Sequence, residues 1–281
     1  MEKIQLALER ARQERRQVLG GDAGVPADSF EPGLAGAEIP LPLVATDSPE
    51  RLRRHRIVAA EHQNEASRGV RMAIESFRML RAQVLQRLKM IGGQTVAVTS
   101  PHQGDGKTLV AINLALTIAK HIEQGAMLIE GDLRRPTVHK YLGVRTEYDI
   151  SNYLAGGAPL EACLARPRMD HLPGLDNLIV LLQQEPLHLS SEFLASGRAG
   201  QLFSECKRLF PDHIIIVDCP PILSAEDPLI IQQYVDGTVL VVQEGITTKT
   251  DLRRSAELIG EERYLGAVLN NSTWNTSAYY Y

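Results

Sequence analysis

The sequence has few of the residues that stabilise small secreted proteins or membrane spans. Aromatic residues make up only 5% of its 281 residues, and there are three cysteines. Those cysteines, Cys163, Cys206 and Cys219, are far apart and form no CxxC pattern, which argues against a disulfide framework and a structural zinc site. No apolar run approaches the ~20 residues needed to cross a bilayer, and no signal-peptide core opens the chain. We therefore expect a soluble protein of the reducing cytoplasm.

The composition is ordinary, but the charge is unevenly distributed. Apolar residues make up 44% and charged residues 23%, which excludes collagen-like, coiled-coil and wholly disordered chains. Residues 21–50 carry six acidic and no basic residues, whereas residues 51–90 carry ten basic and three acidic residues. The remaining core is acidic, so charge favours docking of the basic segment on protein, although such a segment is most often simply solvated. An anionic membrane surface is a weaker alternative, and we expect no nucleic-acid partner.

The same patterns divide the chain into four parts. Residues 1–20 place apolar side chains at roughly helical spacing and predict an amphipathic helix, which is either solvated or docked on a partner. Residues 21–54 are rich in Pro, Gly and Ala and predict a flexible linker. Residues 55–271 form the folded domain, beginning with a helix over 70–90, and residues 272–281 form a polar tail that ends in tyrosines.

Short, almost continuously apolar segments of the domain are typical of strands buried on both faces. They cover residues 95–99, 126–130, 178–182, 214–217, 238–242 and 266–269. Helical segments lie between them, at 107–121, 191–210, 228–234 and 250–261. This alternation predicts a doubly wound α/β domain with a mostly parallel sheet, whose ligands bind beyond the carboxyl ends of the strands.

The turn after the first of these strands has the composition of a phosphate-binding loop. Glycines let the backbone turn its N–H groups toward a phosphate, Lys107 can reach the β and γ oxygens, and the Thr108 hydroxyl can bind Mg²⁺. Pro101 occupies the position of the first Gly in GxxxxGK[ST], so the loop is a variant. The predicted nucleotide-binding residues are Gly104, Asp105, Gly106, Lys107, Thr108 and Leu109.

Acidic residues end two further predicted strands. Glu130 and Asp132 follow one strand, and Asp218 follows another. A triphosphate would repel these carboxylates unless a hard cation lay between them, so a nucleotide with Mg²⁺ is the implied ligand. The predicted metal ligands are Thr108, Asp132 and Asp218; an aspartate at such a position can also serve only to cap a helix.

These three turns resemble the motifs of the bacterial tyrosine kinases of exopolysaccharide synthesis. Residues 100–108 resemble the Walker A loop, residues 130–134 the Walker A′ motif DxDxR, and residues 218–221 the Walker B motif DxxP. The family's ExxRxxR motif occurs at residues 75–81. The resemblance covers residues from about 70 to 271. It implies a P-loop fold of the deviant Walker type, which the septum-site ATPases share, and subunit contacts by Glu75, Arg78 and Arg81.

The resemblance also implies an activity, that of an ATP-dependent protein-tyrosine autokinase with Mg²⁺ as its cofactor. Its catalytic residues would be Lys107, Asp132, Glu130 and Asp218. Glu130 stands where the family usually has Asp and is one methylene longer, so Asp132 is the better candidate for the base. Tyr279, Tyr280 and Tyr281 resemble the family's phosphate acceptors, and transfer between the subunits of a homo-oligomeric ring is implied.

Within the family, the sequence is most similar to the cytoplasmic autokinases that are separate from their membrane partner, especially the exosortase-associated group. This implies a membrane chain-length determinant, a polysaccharide co-polymerase whose cytoplasmic tail activates the kinase and recruits it to the inner membrane. A cognate tyrosine phosphatase and a role in exopolysaccharide or capsule chain synthesis and export are implied as well.

Two other functions remain open from the sequence. A partition or septum-site ATPase has the same fold but carries a second Lys four residues before the last Gly of the loop, where this chain has His102. An adaptor that binds nucleotide without transferring phosphate is the other alternative, and it would account for the replacement by Glu130.

Overall fold

The computed structural model describes residues 41–45, 57, 67–120, 124–168 and 177–272. The predicted N-terminal helix and the tyrosines of the tail lie outside these residues, as does most of the predicted linker. The strands are β1 (Leu43–Ala45), β2 (Thr95–Thr99), β3 (Gly125–Glu130), β4 (Leu164–Arg168), β5 (Leu178–Leu181), β6 (His213–Asp218), β7 (Gly237–Gln243) and β8 (Tyr264–Asn270). The helices are α1 (Arg68–Ile91), α2 (Lys107–Ala119), α3 (Val138–Leu142), α4 (Ile150–Leu154), α5 (Leu160–Cys163), α6 (Ser190–Leu194), α7 (Gly197–Leu209), α8 (Asp227–Ile231) and α9 (Lys249–Ile259).

All the strands belong to one sheet in the order β1-β4-β5-β3-β6-β2-β7-β8. Neighbouring strands are parallel except β4 and β5, so β1 and β4 run opposite to the other six. The strands β3, β6 and β2 are adjacent at the centre, and the register pairs Glu130 with Asp218 and Asp218 with Val98. The three turns that follow these strands therefore meet at one edge of the sheet.

Helices cover both faces of the sheet. Helix α2 is buried along its whole length because it lies between the central strands and α1, which packs on it from outside. Helix α1 contributes Val84 and Leu88 to the core on this face. On the other face, Leu202 and Phe203 of α7 pack with residues of β3 and β6, such as Met127 and Ile215. The central strands are thus buried on both sides, as their continuous apolar sequences predict.

The six predicted strands and the helix over 70–90 are present with bounds shifted by at most two residues. Two expectations are corrected. The predicted helix over 191–210 is two helices, because Ser196 interrupts it by bonding back to the Phe193 carbonyl. The predicted linker contains β1, which pairs with β4 next to the buried Leu41. Strand β4 and the short helices α3, α4 and α5 were not predicted, since segments of four or five residues carry little periodicity.

Candidate functional site

The loop between β2 and α2 has the geometry of a phosphate-binding loop. Gly104 and Gly106 have φ angles of 93° and 96°, which side-chain-bearing residues rarely adopt. A Cβ on Gly106 would collide with the side chain of Asn270, whose Nδ2 donates to the Asp105 carbonyl at 2.8 Å. The Asp105 carboxylate accepts from the backbone N–H of His102 at 2.8 Å. The loop is therefore held both by its own aspartate and by the end of β8.

The predicted lysine, threonine and two aspartates form one cluster at the carboxyl edge of the sheet. Lys107 Nζ lies 3.1 Å from Asp132 Oδ2 and 3.7 Å from Asp218 Oδ1. The Thr108 hydroxyl donates to Asp218 Oδ2 at 2.6 Å. All four residues are buried, and Asp218 is completely so. The convergence that the sequence predicts is thus present in the fold.

One ammonium group faces two carboxylates in this cluster, and the pKa values reflect the imbalance. Burial by itself would lower the pKa of Lys107, but Asp218 and Asp132 outweigh it and raise that pKa above its ordinary value. Burial raises the pKa of Asp218 above its ordinary value, although Lys107 and Thr108 oppose this shift. The cluster therefore has an excess of negative charge that a further cation would relieve.

Glu130 is oriented differently from the aspartates. Its Oε2 accepts the backbone N–H groups of Thr137 and Val138 at 3.0 and 2.8 Å. Burial raises the pKa of Glu130 well above its ordinary value, and the nearby charge of Asp218 raises it further. The carboxyl group that the sequence places among the catalytic residues thus binds the start of α3, whereas Asp132 and Asp218 contact Lys107.

A cavity of about 460 Å³ opens above the cluster. Its walls come from the phosphate-binding loop, the segment after β3 and the segment after β6. Lining residues include Gly104, Gly106, Lys107, Thr108, Leu109, Asp132, Arg135, Tyr141, Pro220 and Ser224. Asp105, Glu130 and Asp218 do not line it. Its size is within the range of small-molecule sites.

Two arginines after β3 have separate roles, which the sequence does not distinguish. Arg134 bonds to Ser190 Oγ at 2.8 Å and lies 3.3 Å from the buried carboxylate of Asp227 on α8. The Arg135 side chain bonds to Gln103 of the phosphate-binding loop, and its backbone N–H donates to Asp132 Oδ1 at 3.1 Å. Asp227 carries no motif that sequence reasoning could have used, whereas Arg134 ends the DxDxR-like motif.

The residues of the site fit Mg²⁺ bound together with phosphate. Asp218 Oδ1 is buried and makes no hydrogen bond within the described residues. Hydroxyl and carboxylate oxygens, as on Thr108, Asp132 and Asp218, are the ligands that Mg²⁺ prefers, and it usually completes its shell with waters and substrate phosphates. In the described part of the chain, no three His, Cys, Asp or Glu side chains are placed to hold a metal ion by themselves. The Thr108, Asp132 and Asp218 oxygens would suit an Mg²⁺ ion whose other ligands are waters and nucleotide phosphates.

The ExxRxxR motif lies on α1. Glu75 and Arg78 form an exposed ion pair of 2.7 Å. Arg81 donates to the Thr117 carbonyl at 3.1 Å and so ties α1 to α2. The subunit contacts expected of these residues stay a prediction.

The helices of the described ranges include none that is long and apolar enough to cross a bilayer.

No model of a protein family matches the chain, but individual proteins do. It is 27% identical over 249 residues to the tyrosine-protein kinase ptk of Acinetobacter johnsonii, which is 86% of this chain and 33% of that protein. It is 29% identical over 180 residues to the tyrosine-protein kinase YwqD of Bacillus subtilis, which is 63% of this chain and 72% of that protein. The chain thus spans a third of the Acinetobacter protein and most of the Bacillus protein.

Solved structures share the fold. The kinase domain of the Escherichia coli tyrosine kinase ETK is 25% identical with a TM-score of 0.67, and the match covers 79% of this chain and 82% of that one. The septum site-determining protein MinD from Pyrococcus horikoshii, solved with Mg-ADP, is 22% identical with a TM-score of 0.51 and covers 63% of this chain and 69% of that one. The deviant Walker P-loop fold is confirmed, while the exosortase-associated subgroup stays a prediction. The chain is thus similar in sequence to proteins named bacterial tyrosine-protein kinases and shares the fold of a solved tyrosine kinase domain.

Proposed function

We propose that the chain is an ATP-dependent protein-tyrosine kinase that acts in exopolysaccharide or capsule synthesis. The cluster of Lys107, Thr108, Asp132 and Asp218 below a cavity of about 460 Å³ carries this proposal. The similarity to proteins named tyrosine-protein kinases selects kinase activity among the reactions that such a site can support.

Phosphoryl transfer requires mainly positioning and neutralisation of charge, because its transition state is loose. The N–H groups of residues 104–108 and the ammonium of Lys107 would bind the phosphates, with Asp105 and Asn270 holding the loop in shape. Mg²⁺, bound by Thr108, Asp132 and Asp218, would supply the remaining positive charge.

A base is also required, since a tyrosine hydroxyl has a pKa of ~10 and must lose its proton during attack. Asp132 is the candidate, because it lines the cavity and is held by Lys107 and by the Arg135 backbone.

The proposed acceptors are Tyr279, Tyr280 and Tyr281, phosphorylated by a neighbouring subunit of a ring. The described chain leaves β8 at Asn270, next to the phosphate-binding loop. About ten further residues extend at most ~35 Å, which allows the tail to reach another subunit. Successive phosphates would repel one another and the acidic core, so phosphorylation should disperse the ring.

The proposal extends to partners. A membrane chain-length determinant would activate the kinase and recruit it to the inner membrane, and a tyrosine phosphatase would reset it. These partners rest on the family resemblance of the motifs; the similarity to the putative tyrosine-protein kinase CapB of Staphylococcus aureus, 26% identical over 74% of this chain and 89% of that protein, supports the kinase activity itself.

The test is to incubate the full chain with ATP and Mg²⁺ and to locate phosphotyrosine by mass spectrometry. We expect label on residues 279–281, its loss in Lys107→Met, and its persistence in Lys207→Met, the same substitution on α7 far from the cavity. For transfer between subunits, Lys107→Met is mixed with a chain in which the three tyrosines are Phe. Label on the Lys107→Met chain supports transfer in trans, and its absence refutes it.

Two other outcomes would assign a different function. ATP hydrolysis without phosphotyrosine would indicate an ATPase switch of the partition or septum-site type, and nucleotide binding without either reaction would indicate an adaptor.

A further inference from the structure

The side chain of Glu130 accepts hydrogen bonds from backbone groups seven and eight residues further along the chain, and so closes a loop. The chain leaves β3 at Glu130, passes through Gly131, Asp132 and the two arginines, and returns at Thr137 and Val138. There, both backbone N–H groups donate to Glu130 Oε2, at 3.0 and 2.8 Å. These donors open α3, and the side chain of Thr137 makes no capping bond to the helix. The first N–H groups of a helix have no partner within it, so the Glu130 carboxylate satisfies donors that would otherwise be unpaired.

The segment closed in this way, residues 131–137, forms one wall of the cavity. Asp132, Arg135 and Thr137 line the cavity, and Tyr141 follows on α3. Glu130 itself is fully buried and does not line the cavity. It therefore has no surface in the cavity, and besides its charge it acts on the site through the residues that it holds in place.

Side-chain length matters in this arrangement. Glu130 is fixed at the end of β3 by its pairing with β6, and the backbone N–H of Gly131 donates to the Asp218 carbonyl at 2.7 Å. A Cβ on Gly131 would lie 2.8 Å from the Asp218 carbonyl oxygen. An aspartate at position 130 is one methylene shorter, so its oxygen would fall short of the two N–H groups.

We propose that Glu130 is a positioning residue, which fixes residues 131–137 and thereby Asp132, and that it does not accept the proton of the substrate. This rests on the proposed kinase function only in so far as Asp132 is the base. The longer side chain of Glu130 is needed to reach the N–H groups of Thr137 and Val138. A direct catalytic role would not require these bonds.

The test compares Glu130→Gln with Glu130→Asp in the full chain. The Gln oxygen can accept the same two N–H bonds, so its kcat should fall by less than about fivefold, whereas removing a general base costs on the order of 100-fold or more. Glu130→Asp keeps a carboxylate but loses the bonds, and its ADP dissociation constant should rise by about tenfold or more. A kcat of Glu130→Gln at or below that of Glu130→Asp would overturn the proposal.

A second measurement does not depend on catalysis. Amide hydrogen exchange of Thr137 and Val138 without nucleotide should be as slow in Glu130→Gln as in the wild type and faster in Glu130→Asp. Equal exchange in all three proteins would overturn the proposal. If the wild type forms no phosphotyrosine, the kinase function fails, while ADP binding and hydrogen exchange still decide the role of Glu130.

Discussion

Replacing Lys107 by Met should destabilise the nucleotide-free domain as well as stop catalysis. The ammonium is the cation that faces Asp132 at 3.1 Å and Asp218 at 3.7 Å. Met keeps most of the buried stem but leaves two carboxylates without their cation. Removing one partner of a buried ion pair costs about 3–5 kcal/mol. That is a large part of the 5–15 kcal/mol that stabilises a typical domain, taken as an order-of-magnitude range.

Lys207→Met is the matched control for this prediction. Lys207 pairs with Asp236 at 3.0 Å, but its side chain is 34% exposed. Exposed pairs contribute about 0.2–1 kcal/mol. If the free energy of unfolding falls by about 2 kcal/mol per molar urea, the unfolding midpoint should fall by about 1.5–2.5 M in Lys107→Met and by at most about 0.5 M in Lys207→Met.

The loss of folding stability in Lys107→Met should also depend on pH. Burial already raises the pKa of Asp218, and removing the ammonium raises it further. A carboxyl group whose pKa is higher in the folded than in the unfolded state lowers stability as pH rises above the unfolded value of about 3.9. The difference in urea unfolding midpoint between Lys107→Met and the wild type should therefore shrink as pH falls from 7 to 4. Equal midpoints for the two Met variants, or a difference that grows in acid, would refute the reasoning.

Three further predictions concern the surroundings of the site. Gly131→Ala should lower the free energy of unfolding in urea by about 1–3 kcal/mol, because the new Cβ would lie 2.8 Å from the carbonyl oxygen that ends β6. The control is Gly69→Ala on α1, where a Cβ meets nothing within 4 Å, and this variant should keep or gain stability. Asn270→Ala should weaken ADP binding about three- to tenfold in calorimetry, because the Asp105 carbonyl loses its donor, and an unchanged affinity would contradict this. Burial would raise the pKa of Asp236, but backbone N–H donors and the Lys207 ammonium outweigh it and hold that pKa below its ordinary value. Asp236→Asn should therefore lower the free energy of unfolding by about 0.5–1 kcal/mol at pH 7 after solvent screening. This loss of stability should vanish as pH falls through the folded pKa.

The sequence alone determined where the site is and which residues meet there. Continuous apolar strands alternating with helices require a parallel sheet, and parallel neighbours share a carboxyl edge. Residues that follow such strands, as Lys107, Asp132 and Asp218 do, must then lie close together. These inferences need only local periodicity and the direction of the chain, both of which are present in the sequence.

Only the tertiary structure decided what the individual side chains contact. Glu130 occupies a motif position suited to catalysis, yet its partner is the backbone at Thr137 and Val138, to which the chain returns seven residues later. The link from Asn270 to the phosphate-binding loop joins residues 165 positions apart. The length of the Glu130 side chain is visible in the sequence, but the backbone groups that it reaches depend on where other segments pack, which has no local pattern in the sequence.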